Sequence, residues 1–377
     1  MYGIEIRREL HMHPELRFDL PYTLGVVRRE LNRFVIPFSE AYGKSSIVAT
    51  LAEDQPGKAL AIRADMDALP IAEANCVPYK SLNEGKMHAC GHDVHTAVLL
   101  DTARKLSAFR TRLNRPVMLI FQAAEESGGG ARLMAEDGVL RDVEEIVSLH
   151  VNAEEVGTAY FMDGPCNAAC ALLKLDFTGK SAHSSMQASG RDAILMAVHA
   201  LSAIESYLAK CFQAGSVVLF NAGKIEGGTA GNIIAEHCTV SCHARSWEDG
   251  LLDRLIEAVG TITKNAAEMF GGTGVMTVSG KTPVLVQDPG VTSRLRKAAE
   301  EILGKENVHD MKRVMASEDF AEFARQVPAT MMRLGCGNQE KGIVHSVHTP
   351  RFDIDERAID KGSDIFVRYL TNRMGIT

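Results

Sequence analysis

Within residues 86–95, KMHACGHDVH, three histidines, a cysteine and an aspartate stand just ahead of an apolar run that reads as a helix. Cys90 and His92 are two positions apart, so on a tight or extended turn both side chains converge on one ion. Gly91 between them lets the backbone fold without a Cβ clash. A thiolate and an imidazole joined by oxygen donors make a shell typical of zinc and its neighbours, not of calcium or magnesium. The competing reading is a capped helix start with incidental histidines.

Further along, the apolar run 116–121, PVMLIF, leads through Gln122 and two alanines into Glu125 and Glu126, and then into the glycines 128–130. On non-helical backbone adjacent glutamate side chains diverge, so one can hold a cation while its neighbour faces water. Metal-assisted hydrolysis needs that division: one carboxylate to bind, one to take and return a proton. The glycines then let the chain turn into a helix over 131–136. Asp65 and Asp67 follow the strand-like run 59–63, and one of them could reach a metal ligand and fix an imidazole's tautomer. DVEEIVSLHVN is a further strand ending at His150, and a late loop carries His345 and His348, either of which could close a metal site. Three strand ends thus each deliver Asp, Glu or His, where open α/β sheets place their chemistry. His11 and His13, in LHMHPE, either approach that edge or cap and pack.

These residues need a sheet behind them. Residues 4–34 read as helical with a break from Pro14 to Pro21, followed by strands at 46–51 and 59–63 and a helix at 94–109. The pattern is α/β, a mostly parallel, doubly wound sheet with a metal cluster at its carboxyl edge. From about residue 167 it changes. ALLKLDFTG alternates, with Leu173, Leu175 and Phe177 on one face and Lys174 and Asp176 on the other. The order strand, helix, strand, strand, helix, strand is ferredoxin-like. The domains are therefore predicted as 1–166, the first part of a catalytic metal-binding domain, 167–276, an inserted ferredoxin-like α+β domain, and 277–377, the second part of the catalytic domain. The insert has two polar spots suited to touching substrate: His183 in the loop GKSAHSS and Asn232 in the turn KIEGGTAGNI. No Lys-Ser or Lys-Thr pair follows those glycines, so the turn is not a phosphate loop. After the insert, ASEDFAEFARQV reads as a helix with Ser317 as its N-cap.

At 377 residues the chain is too long for one typical core. A formal net charge of −7 without any basic block argues against nucleic acid and anionic membranes as partners. No apolar run is expected to span a membrane, and the N-terminus lacks the apolar core of a signal peptide, so the expected location is cytoplasmic. Eight cysteines scattered over so long a chain do not describe a disulfide framework. Cys238 and Cys242, in HCTVSCHAR, share a face with Val240 and Ala244, which reads as sheet packing.

The stretches LHMHPELRF, RADMDALPI, MHACGHDVHTAVLL, FQAAEESGGGARLM, LHV, GKSAHSS, GGTAGNII, ASEDF and HTPRFDIDE follow one another along nearly the whole chain. In this combination the sequence resembles the M20 metallopeptidase family, and within it the branch of hippurate hydrolases, N-acyl-amino-acid amidohydrolases and auxin-conjugate hydrolases. The resemblance implies two divalent metal ions, zinc or manganese first with cobalt and nickel compatible, held by Cys90, His92, Glu126, His150 and His348. It implies Glu125 as general base and later acid, and Asp67 as the carboxylate behind the site. It further implies His183 as a donor to the scissile carbonyl, often from the partner subunit, with Asn232 near substrate. The insert would be a lid and dimerisation module, giving a homodimer or higher homo-oligomer. The implied reaction hydrolyses small-molecule N-acetyl or N-aroyl L-amino acids to a carboxylate and a free amino acid.

Three departures stand out. Ala123 occupies a position where the family usually has proline, Ser181 and Ala182 replace two glycines, and His345 is additional. Rival readings are a dipeptidase, aminopeptidase or carboxypeptidase of the same family, a cysteine hydrolase with Cys90 as nucleophile, and a non-enzymatic metal-containing binding protein. Against the last stands Glu125, a carboxylate in excess of a closed four-ligand site.

Overall fold

The first helical stretch breaks where its prolines stand, giving α1 (Tyr2–Met12) and α2 (Pro21–Arg33). Pro21 opens α2, where its missing N–H would have had no partner in any case. Strands β1 (Phe38–Ser39), β2 (Ile47–Leu51) and β3 (Ala59–Asp65) follow, then helix α3 (His92–Ser107) and strand β4 (Val117–Gln122). Helix α4 (Gly130–Glu136) leads to strands β5 (Val143–Glu155), β6 (Ala159–Phe161) and β7 (Gly164–Asn167). Next come β8 (Ala169–Thr178), α5 (Ala193–Cys211), β9 (Val218–Gly227), β10 (His237–Ser246), α6 (Asp249–Met269) and β11 (Thr273–Thr282). The chain ends through β12 (Leu285–Gln287), α7 (Pro289–Leu303), β13 (Val308–Asp310), α8 (Ala321–Ala324), β14 (Ala329–Gly337) and α9 (Arg357–Met374). This computed structural model describes residues 1–127 and 129–376; Gly128, one of the glycines expected to turn the chain after Glu126, lies outside them.

The chain forms two units, one of Met1–Cys166, Val286–Lys312 and Asp319–Thr377, the other of Asn167–Leu285 and Arg313–Glu318. The larger is built on an eight-stranded sheet in the order β1-β2-β4-β3-β5-β14-β6-β13. Its centre, β4, β3, β5 and β14, is the expected parallel block. At the margins β1 and β2 run antiparallel to their neighbours, as does β6 to β14. Short apolar runs read alike in either direction, which is why the antiparallel margins are not apparent from sequence. All seven residues of β3 are buried, as in a strand covered on both faces. Helices α1 and α9 pack on α3, which lies against that strand.

Register decides what meets at the carboxyl edge. Asp65 stands opposite Gln122, and Arg63 opposite Ser148, so Asp65 and His150 come level two residues later. β5 continues to Glu155, so His150 lies inside the strand instead of at its end. It meets the edge because the neighbouring β3 stops at Asp65.

The smaller unit is a four-stranded antiparallel sheet, order β11-β8-β10-β9, with α5 and α6 packed on one face. This is the ferredoxin-like arrangement. Leu173, Leu175 and Phe177 are buried under the helices, with Lys174 on the other side. Cys238, Val240, Cys242 and Ala244 share that buried face, and all eight cysteines are free thiols. Asp192 caps α5 by accepting from the Ile194 and Leu195 amides. Contrary to the expectation from sequence, α5 is by length and composition apolar enough to cross a membrane. Here Ala193, Met196, Ala197, Ala200 and Ile204 bury one side of it on the sheet. On its other side Ile194, Leu195 and Val198 are exposed.

The helix expected from Ser317 is shorter than predicted: only Ala321–Ala324 is helical. Asp319 instead serves as a buried acceptor. It takes hydrogen bonds from Arg63 Nη2 at 2.9 Å, from Gln122 Nε2 at 2.8 Å and from the Ala131 amide at 3.0 Å.

Candidate active site

Four segments of the larger unit bring the expected residues together. The turn before α3 carries Cys90 and His92, with Gly91 between them as the helix N-cap at φ 84°. A Cβ at Gly91 would stand 2.4 Å from Val151 Cγ2, so glycine is required both for the left-handed backbone and for the approach to β5. The loop after β4 carries Glu125 and Glu126, and Ala124 before them is left-handed, at φ 58°. β5 supplies His150, and the loop between β14 and α9 supplies His348, itself at φ 62°.

Cys90 Sγ lies 3.4 Å from His150 Nε2 and 3.2 Å from His348 Nε2. Glu126 Oε1 lies 3.4 Å from His348 Nε2 and 3.9 Å from His92 Nε2. The donors form overlapping triads: Cys90, His92 and His150; Cys90, Glu126 and His348; His92, Glu125 and Glu126. Overlap through Cys90 suits two neighbouring cations. Both ring nitrogens of His92 and Glu126 Oε1 are buried without a hydrogen-bond partner. Burying such atoms unpaired is unfavourable, and cations are the partners that three imidazoles, a thiol and a carboxylate would share. His345 is exposed and belongs to no such group among the described residues.

Around this cluster hydrogen bonds hold the turn that carries the two glutamates and the ring of His150. Asp67 Oδ1 accepts from the Glu125 amide at 2.9 Å and Oδ2 from the Glu126 amide at 3.3 Å; Oδ1 also lies 3.5 Å from His92 Nδ1. Asp67 therefore holds the turn that carries the two glutamates. His150 Nδ1 donates to its neighbour's carbonyl, Val151 O, at 2.7 Å, which leaves Nε2 for the cluster.

His95 was not singled out by sequence, although His92-x-x-His95 on a helix puts both rings on one face. Its Nε2 accepts the Val151 amide at 3.0 Å, so its proton must sit on Nδ1, 2.6 Å from Asp65 Oδ1. Both nitrogens are thus spent, and His95 is a brace between α3, β3 and β5. Asp65 also takes Arg63 Nη1 at 2.6 Å. Burial opposes its charge, yet Arg63, His92 and His95 hold the carboxyl well below its ordinary range. Arg63, Gln122 and Asp319 were also missed, because nothing in sequence links β3 to residue 319.

Burial, with Glu126 adding to it, pushes the Cys90 thiol well above its ordinary range. A thiol pushed in that direction ionises less readily, which weighs against a cysteine nucleophile. His11 is buried on Asp93, while His13 stacks on Tyr22 with ring centroids 3.9 Å apart; neither is in the cluster.

In the smaller unit, the loop of His183 and the turn of Asn232 are joined by backbone. His183 bridges Ile233, and the Ser184 amide donates to Asn232 O at 3.0 Å. The Ser185 amide donates to His183 Nδ1 at 3.2 Å, so the neutral ring carries its proton on the outward Nε2. Both His183 and Asn232 are exposed.

The chain is similar to known proteins. An N-acetyl-L-cysteine deacetylase of Bacillus subtilis is 32% identical over 361 residues, covering 96% of this chain and 85% of its own. Thermostable carboxypeptidase 2 of Saccharolobus solfataricus is 31% identical over 365 residues, covering 96% and 92%. The crystal structure of a dinuclear metal-binding peptidase of the M20 family from Bacillus subtilis superposes with a TM-score of 0.81 at 27% identity, covering 100% of this chain and 98% of that one. Peptidase family M20/M25/M40 matches residues 61–372. With the five expected donors clustered at the sheet edge and that match spanning most of the sequence, the chain belongs to peptidase family M20/M25/M40 and is a metal-dependent hydrolase.

Proposed function

We propose that the protein hydrolyses the amide bond of N-acyl L-amino acids, with N-acetyl or N-aroyl groups, and belongs to the deacylase branch of its family. In this reading Cys90, His92, Glu126, His150 and His348 hold two divalent ions, zinc or manganese. The observation that carries it is the split between the adjacent glutamates. Glu126 shares a triad with Cys90 and His348, whereas Glu125 enters neither Cys90-centred group and lies beside them through His92. Divalent ions held there would lower the pKa of water and polarise a scissile carbonyl. Glu125 takes the proton of the attacking water and returns it to the leaving nitrogen. Asp67 keeps Glu125 aimed by binding its backbone amide. His183, whose outward Nε2 carries a proton, donates to the developing oxyanion, and Asn232 beside it binds substrate.

A homodimer also fits this reading. Ile194, Leu195 and Val198 on α5 are exposed, as are Leu219 and Ile225 on the edge strand β9. An apolar helix face beside an open sheet edge is suited to a second copy of the same unit.

The carboxypeptidase named above keeps one alternative in view, cleavage of peptides with a free carboxyl terminus. An amine-release assay on N-acetyl and N-benzoyl amino acids beside unblocked dipeptides and blocked peptides tests both. It is run after chelation and again with zinc, manganese, cobalt or nickel added singly. Metal-restored release from N-acyl amino acids alone is the expected result. Release confined to peptides would move the protein to the peptidase side, and no release with any metal would favour a binding role.

A further inference from the structure

Arg7 is wholly buried and takes no part in the chemistry proposed above. α1 carries Arg7 and His11 four residues apart, hence on one face, and both meet the first turn of α3. Arg7 Nε donates to Asp93 Oδ2 at 2.9 Å and Nη2 donates to Asp353 Oδ1 at 2.9 Å. The guanidinium carbon sits 4.6 Å from the centre of the Tyr79 ring, and the Tyr79 hydroxyl donates to Asp353 at 3.0 Å. His11 Nδ1 lies 2.7 Å from the same Asp93 oxygen, with Nε2 3.4 Å from Glu73.

The two carboxylates that Arg7 joins have telling neighbours. Asp93 directly follows His92, and Asp353 ends the run His348 to Asp353, HTPRFD. One further bond joins these remote segments directly, and two more tie the second of them to the loop of Ala74 and Asn75. The His348 amide donates to Ala89 O at 2.7 Å, the Ala74 amide to Pro350 O at 2.8 Å, and Asn75 Nδ2 to Phe352 O at 2.9 Å. We infer that Arg7 is a positioning residue, its fork clamping the His348 segment onto the Cys90–His92 turn so that donors from both ends of the chain meet. This rests on the reading of His92 and His348 as metal ligands. A guanidinium is needed because its fixed fork meets two carboxylates at once, whereas an ammonium is a point charge.

Alanine at position 7 would strip the buried Asp93 and the half-buried Asp353 of the guanidinium they share and destabilise the site for trivial reasons. The test therefore uses Arg7→Lys and Asp353→Asn in the full chain, with two readouts. In the metal-free protein, hydrogen exchange is followed at the His348 amide. Zinc affinity is measured by competition with a chelator. Both variants should weaken zinc binding by about 10–100-fold, the usual effect of losing a partner behind a ligand. They should also speed exchange at His348 while leaving β3 and β4 protected. Folded variants with unchanged exchange at His348 and unchanged zinc affinity overturn the proposal. So does a uniform loss of protection across the larger unit, which would make Arg7 a general structural residue. His348→Ala separates the two layers: zinc affinity unchanged by that substitution sinks the ligand reading, while the exchange result still decides what Arg7 holds.

Discussion

His95→Leu isolates the brace behind the metal site. The ring is buried, accepts the Val151 amide at 3.0 Å and faces Asp65 Oδ1 at 2.6 Å. Leucine fills much of the same volume, so the cavity contribution is small. What remains is one buried N–H and one buried carboxylate oxygen without partners, each costing about 1–3 kcal/mol. The sum, about 2–6 kcal/mol, is a large part of the stability of an ordinary domain. Arg63 keeps its bond to the other Asp65 oxygen, so the carboxylate is not wholly stranded and the lower half of that range applies. Urea unfolding of the metal-free protein, followed on the larger unit, measures the loss, and zinc competition should show affinity falling by about 10–100-fold. His95→Gln keeps an acceptor for the Val151 amide and should lose less. His345→Leu, at an exposed position outside every donor group, should change neither quantity. If His95→Leu costs under about 1 kcal/mol and binds zinc as before, the brace is a misreading, since the estimate rests on those two bonds.

Glu125→Gln keeps the shape of the side chain but removes its basicity. It should lower kcat by about 10²–10⁴-fold with metal content unchanged, as steady-state rates beside metal analysis would show. Gly91→Ala must pay for a left-handed alanine, about 1–2 kcal/mol. It also places a methyl 2.4 Å from Val151 Cγ2, adding about 1–3 kcal/mol of overpacking. A lower urea midpoint together with weakened zinc binding is expected, and wild-type behaviour in both would refute the argument. Val198→Asp puts a charge in the exposed apolar face of α5 and should yield a monomer in sedimentation, while the chain's circular dichroism stays the same.

Cys90 and His92 were legible from their spacing around Gly91, Glu126 and His150 from the short apolar runs they follow, and His348 from the resemblance. The alternation of Leu173, Leu175 and Phe177 likewise announced a half-buried sheet, and the order of elements around it announced the ferredoxin-like unit. Residues that hold the donors in place were not legible. His95, Arg63, Gln122 and Asp319 work through partners supplied by other elements, and neither spacing nor hydropathy records such pairings. The same blindness explains the expected helix at Ser317. Helical periodicity in ASEDFAEF competes with a buried carboxylate, and Asp319 takes hydrogen bonds from Arg63, Gln122 and the Ala131 amide in distant segments. Its own amide donates to Glu125 Oε1 at 3.4 Å.

Two left-handed residues without glycine's freedom, Ala124 and His348, sit where the chain delivers its carboxylates and its last imidazole. Each such conformation costs about 1–2 kcal/mol, and persists only where its surroundings over-determine it. The surroundings here are specific. Asp67 takes the two amides that follow Ala124, and Ala89 O takes the amide of His348 itself. The strain and its compensation therefore lie in the same few peptide groups, and the compensation comes from the segments that carry Asp67 and Cys90. A donor set assembled from four distant stretches of chain would otherwise be free to relax apart. Tying each strained turn to a neighbouring donor segment makes the geometry of the cluster a property of the folded unit, present before any cation arrives.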